Sequence, residues 1–248
     1  GTQGGLNRFK DGKFSTFTTK EGLSQNSVFP VYEDKEGTLW IGTEGGLNRF
    51  KDGKFSAFTT RQGLFNDVAF QILEDDRANL WISCNKGVFR LSKKELNAFA
   101  EGSISSLTSV TYGTADGMKA NECNTGSPAG IRTRDGKLWF PTIKGLVVID
   151  PNNLKLNTLA PPVVVERILL DGKDISPREK LEAPPGADAM EFHFTALSFL
   201  VPEKVRFKYK LEGFDEDWID GGTQRNARYT NLPPGAYRFR VIACNNDG

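Results

Sequence analysis

The chain has 248 residues, of which 38% are hydrophobic and 25% charged, a balance that excludes a disordered chain and fits a soluble globular one. Its 32 Lys+Arg nearly cancel 31 Asp+Glu, so no excess positive field points to nucleic acid or an anionic membrane surface. No apolar run approaches the roughly 20 residues that a membrane helix needs, and no signal peptide is visible, since Gly1 opens directly on repeat-like sequence.

In chain order the first signal is a repeat. Gly5-Leu6-Asn7-Arg8-Phe9-Lys10-Asp11-Gly12-Lys13-Phe14 returns unchanged as Gly46 to Phe55, 41 positions later. Trp40 and Trp81 keep the same spacing, each inside a Leu-Trp-Ile run. Within one period, Val28 to Glu33, Leu39 to Thr43, Leu47 to Phe50 and Phe55 to Phe58 read as four short strands. Asp34-Lys35-Glu36-Gly37 is a turn. Asp52-Gly53 signals a hairpin whose two central residues both need positive φ. Four short antiparallel strands per roughly 40–45 residues is the period of a propeller blade.

Further along, Asp135-Gly136-Lys137-Leu138-Trp139-Phe140 and Gly145 to Ile149 form a weaker copy. Trp139 comes later than the period requires, and the excess falls around Ser92 to Ser109. There Ser92 is followed by Glu95, Leu96 and Phe99, which predicts a short surface helix capped by Ser92. The run Asn26-Ser27-Val28, Glu33-Asp34, Gly37, Leu39-Trp40-Ile41-Gly42-Thr43 and Gly45-Gly46-Leu47 resembles the two-component regulator propeller repeat. Asn121 to Gly126, with Gly136 to Phe140 and Gly145 to Pro151, resembles that family's terminal blade, although Phe140-Pro141-Thr142 departs from its usual pattern.

Pro161-Pro162 marks a domain boundary, which predicts propeller blades over residues 1–160 and a second domain over 161–248. Strand-like segments follow at Val163 to Leu170, Met190 to Phe194, Val205 to Leu211, Arg228 to Tyr229 and Ala236 to Ala243. Turns at Asp171-Gly172, Pro184-Pro185-Gly186 and Pro233-Pro234-Gly235 separate them, and the pattern reads as a small β-sandwich. This part is similar to the three-Y (Y_Y_Y) domain through Tyr209 to Phe214, Asp217-Trp218, Tyr229 to Gly235 and Tyr237 to Val241. The resemblance makes Tyr209, Tyr229 and Tyr237 the three tyrosines, and it implies a further strand beyond Gly248. The fold class expected is all-β: about three and a half four-stranded blades, then an immunoglobulin-like sandwich.

Candidate chemistry is sparse. His193 is the sole histidine, placed by strand alternation on the face opposite Phe192 and Phe194, without partners for a triad or a zinc site. Cys84, Cys123 and Cys244 lack metal-like spacing, and their odd number argues against a complete disulfide framework. Glu33-Asp34 and Glu74-Asp75 recur at one place in each repeat, which favours a turn device over acid–base work. Trp40, Trp81 and Trp139 fit packing between blades better than stacking on sugars. The sequence therefore predicts no catalysis, no metal and no cofactor. The inter-blade loops are the better place for recognition. There Gln25, Asn26, Asn66, Asp67, Asn121, Glu122 and Asn124 offer hydrogen-bonding groups, which serve either a ligand or the capping of turns.

The resemblance implies a periplasmic ligand-sensing region of a membrane-anchored receptor, with more blades upstream and a kinase or cyclase output domain downstream. It implies a small ligand, often a carbohydrate breakdown product in relatives, so an oligosaccharide is the expectation here; the near-neutral charge implies no nucleic acid. A protein-interaction scaffold and a propeller lyase or glycosidase are the rival readings. Open first and last blades predict self-association of this chain, with Phe9, Phe14 and Phe17 as apolar candidates.

Overall fold

The computed structural model describes residues 1–154, 159–175, 189–198 and 202–245. The chain divides into two compact units, Gly1–Leu154 and Lys155–Gly248.

The first unit is a series of antiparallel sheets in sequence order. A two-stranded sheet joins β1 (Leu6–Lys10) to β2 (Lys13–Phe17). A four-stranded blade follows, with β3 (Val28–Glu33), β4 (Leu39–Thr43), β5 (Gly46–Lys51) and β6 (Lys54–Phe58) side by side. The next blade has β7 (Gln71–Glu74), β8 (Asn79–Cys84), β9 (Gly87–Ser92) and β10 (Val110–Tyr112). The terminal sheet has β11 (Ile131–Arg132), β12 (Leu138–Thr142) and β13 (Gly145–Ile149). It thus shows three strands among the described residues where four were expected. The β5–β6 hairpin turns on Asp52 and Gly53 at φ 51° and 78°, the geometry that selects Asp-Gly there.

The glycine that opens each third strand has a steric cause. Gly5, Gly46 and Gly87 all have φ between 126° and 140°. A Cβ on any of them would lie 2.4 Å from the carbonyl oxygen of Phe17, Phe58 or Tyr112 in the neighbouring fourth strand. Neighbouring blades are stitched by one repeated backbone bond. Val28 N donates to Thr2 O, Ala69 N to Thr43 O and Cys123 N to Cys84 O, at 3.0–3.1 Å. Thr2, Thr43 and Thr142 each brace their turn by donating to the carbonyl of Gly5, Gly46 or Gly145. Cys84 takes that position in the third sheet, where its sulfur accepts from Lys86 N.

The predicted helix exists as α1 (Lys93–Ala100), between β9 and β10. It corrects the expectation in two respects. Ser92 occupies the N-cap position, but its side chain makes no cap bond, and Glu95 reaches instead to Thr108 N. Nor is α1 merely a surface feature. Leu96 is fully buried, Phe99 packs edge-on to Phe58 at 5.8 Å, and Asn97 accepts from Arg49 Nε. The insertion fastens two blades together because its apolar face covers their shared core.

The second unit is a β-sandwich. One sheet orders β15 (Lys173–Ile175), β14 (Val163–Leu170), β16 (Ala189–Ala196) and β19 (Asn226–Thr230). The other orders β18 (Ile219–Gly222), β17 (Arg206–Glu212) and β20 (Arg238–Cys244). Between them Phe192 stacks on Phe239 at 4.0 Å, and Phe194 packs on Phe207 and Tyr209. Tyr229 donates to Asp215 Oδ2, which also accepts from Leu211 N, and Tyr237 donates to Pro233 O. These tyrosines lock the β17–β18 corner and the Pro233 turn. The expected turn at Pro184-Pro185-Gly186 lies outside the described residues.

Candidate functional site

The side chains of the Asp-x-x-x-x-x-Trp pattern build the scaffold under the site. Asp34 accepts from the backbone N–H of Glu36 and Thr38 and from Trp40 Nε1, all at 2.9–3.0 Å. Asp75 does the same for Arg77, Asn79 and Trp81. Each carboxylate therefore closes its own turn and fixes the indole of the next strand. Trp40 and Trp81 are wholly buried, with Trp40 stacked on Phe58 and Trp81 beside Tyr112. In the terminal sheet Thr133 stands where the others have Asp. Trp139 Nε1 is buried there without a hydrogen-bond partner among the described residues.

Beneath this lies a buried ion cluster. The Lys93 ammonium contacts Asp34 Oδ2 at 2.9 Å and Glu74 Oε1 at 3.0 Å, and Tyr32 donates to Glu74 at 2.7 Å. Burial pushes the Asp34 carboxyl up, but hydrogen bonds from Trp40, Lys93 and two backbone amides outweigh it and hold the group below its ordinary value. Burial pulls the Lys93 ammonium down, and its bonds to Asp34 and Glu74 outweigh that in turn and raise it. Burial, then the adjacent Glu74 carboxylate, raises the Tyr32 phenol. All these groups are mutually satisfied, which makes the cluster a tie between blades.

The predicted loop residues lie where blade-joining loops meet the turns between second and third strands. The three loops share one construction. Asn26 accepts from Thr19 N, Asp67 from Thr60 N and Asn121 from Thr114 N, at 2.6–2.9 Å. Glu21, Gln62 and Asp116 each accept from the backbone N–H three residues back. Gly22, Gly63 and Gly117 follow with φ of 97–112°. Gln25 and Asn66 accept from Ser27 N and Val68 N, and Asn66 also donates to Asn85. Of the seven predicted residues, five use their side chains to shape their own loops. Glu122 and Asn124 are exposed, and their stretch of backbone pairs with Ile143 and Pro141 of the terminal sheet. Ile143, whose backbone N–H bonds to the Glu122 carbonyl, has an exposed side chain.

Sequence reasoning did not single out a second feature, an open cleft of about 490 Å³ along the first strands of successive blades. Phe29, Pro30, Tyr32, Phe70, Gln71 and Pro128 line it. Phe29 and Phe70 meet edge to face at 5.8 Å, and Gln71 Nε2 donates to Gly130 O. The recurrence of an aromatic at one repeat position, Phe29 and then Phe70, 41 residues on, was the available signal. In the sandwich, His193 lies 3.0 Å from Glu191 on the face opposite the buried Phe192 and Phe194. Among the described residues no group of three His, Cys, Asp or Glu could hold a metal. Cys84, Cys123 and Cys244 are free, and burial pushes the Cys123 thiol up to about 12. Among the described residues no helix is long and apolar enough to cross a membrane.

Comparison with known proteins agrees with this architecture. Residues 22–45 match the two component regulator propeller family and residues 198–248 the Y_Y_Y domain. A curated relative, Histidine kinase P4 of Formosa agariphila, is 24% identical over 159 residues, which cover 58% of this chain and 11% of the relative. The chain thus spans about a tenth of that protein's length. A crystal structure described as the extracellular domain of a hybrid two component system, BT3049 from B. thetaiotaomicron, aligns over 100% of this chain and 34% of its own. The TM-score is 0.69 at 23% identity, a likeness of fold.

Proposed function

Since the chain carries a two component regulator propeller repeat followed by a Y_Y_Y domain, we propose that it is the ligand-sensing, extracytoplasmic region of a bacterial two-component-type receptor. The observation that carries this reading is the order of the two matched segments on a scaffold whose loop face is built alike in successive blades. Five polar side chains hold the loops rigid and leave Glu122 and Asn124 exposed to contact a ligand. Carboxylate and amide groups, with the exposed apolar Ile143 bonded to the Glu122 backbone, suit the hydroxyls and the apolar face of a sugar, so the ligand proposed is an oligosaccharide. The region binds without turning it over, and the sandwich relays the response. Such a relay requires the ligand to bind two receptor states unequally. The test is a thermal-shift screen of the chain against oligosaccharides, with product analysis of each hit. One ligand at about 100 times its Kd should add about 2.7 kcal/mol of stability and be recovered intact. A cleaved product would instead establish an enzyme, and an inert screen beside specific capture of one protein would establish a scaffold.

A further inference from the structure

The backbone bond that stitches neighbouring blades joins the same two repeat positions each time. The pairs are Thr2 with Val28, Thr43 with Ala69, and Cys84 with Cys123. The first two junctions thus set a threonine against an aliphatic residue. At the junction of the third blade with the terminal sheet both positions are cysteine. Cys123 N donates to Cys84 O at 3.1 Å. That bond and the covalent geometry on either side hold the two Cα atoms about 5–6 Å apart, within the roughly 4.4–6.8 Å that a disulfide spans. Both sulfurs also face the turn between β8 and β9. Cys84 Sγ accepts from Lys86 N at 3.3 Å, and Cys123 Sγ donates to Gly87 O at 3.6 Å. Burial, and then the neighbouring Cys84, raises the Cys123 thiol, which agrees with sulfurs that lie close together.

We propose that Cys84 and Cys123 are a disulfide site, at which a disulfide oxidant ties the third blade covalently to the terminal sheet. The thiolate of one cysteine attacks a sulfur of the oxidant, which forms a mixed disulfide and expels one thiolate. The thiolate of the other cysteine attacks the protein sulfur of that mixed disulfide, which forms the Cys84–Cys123 bond and expels the second thiolate. The pair gives up two electrons and its two thiol protons, and the oxidant leaves as two thiols. Burial raises both thiols and so slows attack in the folded chain, which places bond formation during folding, before the blades close over the sulfurs. Cys244 lies in the other unit and takes no part. The bond closes a loop that carries β9, α1 and β10, so it restrains the whole outer half of the third blade. Its formation in the cell rests on the extracytoplasmic reading above, because oxidants of this class act outside the cytoplasm. The capacity of the pair to bond does not.

The test refolds the chain, unsubstituted and as Cys244→Ser, in a buffer of reduced and oxidised glutathione. Each product is alkylated in denaturant and its mass measured. The Cys244→Ser chain should take no label, and its digest should contain one peptide pair joining Cys84 to Cys123. The unsubstituted chain should yield the same pair and one labelled thiol at Cys244, a readout that does not depend on the substitution. Its melting temperature should stand about 5–10 °C above that of the same protein after reduction. Cys84→Thr restores the residue of the neighbouring blades, so it should fold and show no such difference between oxidised and reduced samples. Two labelled thiols in the refolded Cys244→Ser chain would overturn the proposal. So would glutathione adducts in place of the peptide pair, or a bond from either cysteine to Cys244. None of these results depends on whether the loops bind an oligosaccharide.

Discussion

The third blade and the terminal sheet carry nearly the same second strand, Leu80-Trp81-Ile82 against Leu138-Trp139-Phe140, in different surroundings. Around Trp81, Asp75 accepts the indole N–H, Tyr112 packs on the ring, and Arg90 lies over it at 5.6 Å. Around Trp139 the carboxylate is replaced by Thr133, and Val148 opposite it is 45% exposed. A repeated strand is therefore not a repeated environment. What makes a blade rigid is the closure of its turn by Asp and of its edge by a fourth strand, and the terminal sheet has neither among the described residues.

The comparison breaks most sharply at the tryptophans. Trp81→Ala should cost about 3–5 kcal/mol, the range for a fully buried aromatic. Trp139→Ala should cost only about 1–2 kcal/mol, in proportion to its smaller burial. Denaturant unfolding of both variants reads the difference, and equal losses would mean that the sheets are equally closed. Next comes the carboxylate. Asp75→Ala leaves the buried Trp81 N–H and two backbone amides without their acceptor and should cost about 2–3 kcal/mol. The converse change sharpens the point: Thr133→Asp offers Trp139 Nε1 its acceptor and should stabilise the chain by about 1 kcal/mol, measured the same way.

The smallest effect expected is in pH dependence. The folded Asp34 carboxyl lies below its ordinary 3.8, so its contribution is complete above that value and is lost as pH falls through the lower, folded one. The folded Lys93 ammonium lies above 10.5, so its contribution is complete below 10.5 and is lost as pH rises through the higher, folded value. Asp34→Asn should flatten the acid limb of the stability profile. An unchanged limb would show that other carboxylates govern it.

Much of the fold was legible because the repeat is nearly perfect. Gly46, Asp52-Gly53 and Trp40 recur with their physical reasons attached: a carbonyl that excludes Cβ, a turn that needs positive φ, and an indole held by Asp. The chain hid other features where equivalent positions change identity. Cys84 stands where Thr2, Thr43 and Thr142 stand, and its sulfur does the work of a hydroxyl, so the series cannot be read from residue names. The burial of α1 depends on Phe58 and Arg49, distant in sequence, and the short strands Lys173–Ile175 and Ile219–Gly222 carry too few apolar residues to show a period. At the loop face the sequence located the polar residues but could not distinguish those that shape a loop from those left exposed. That distinction depends on partners such as Thr19, Thr60 and Thr114, seven residues away across a turn.

Calorimetric titration of an oligosaccharide hit against paired variants tests the sensing claim most directly. Glu122→Ala and Asn124→Ala should each weaken binding about tenfold or more while leaving the ligand-free melting temperature within about a degree, because both side chains are exposed. Asp67→Ala should lower that temperature by several degrees, because it unpins its loop (about 1 kcal/mol, as for a lost cap). Saturable binding that neither Glu122→Ala nor Asn124→Ala weakens would contradict the account.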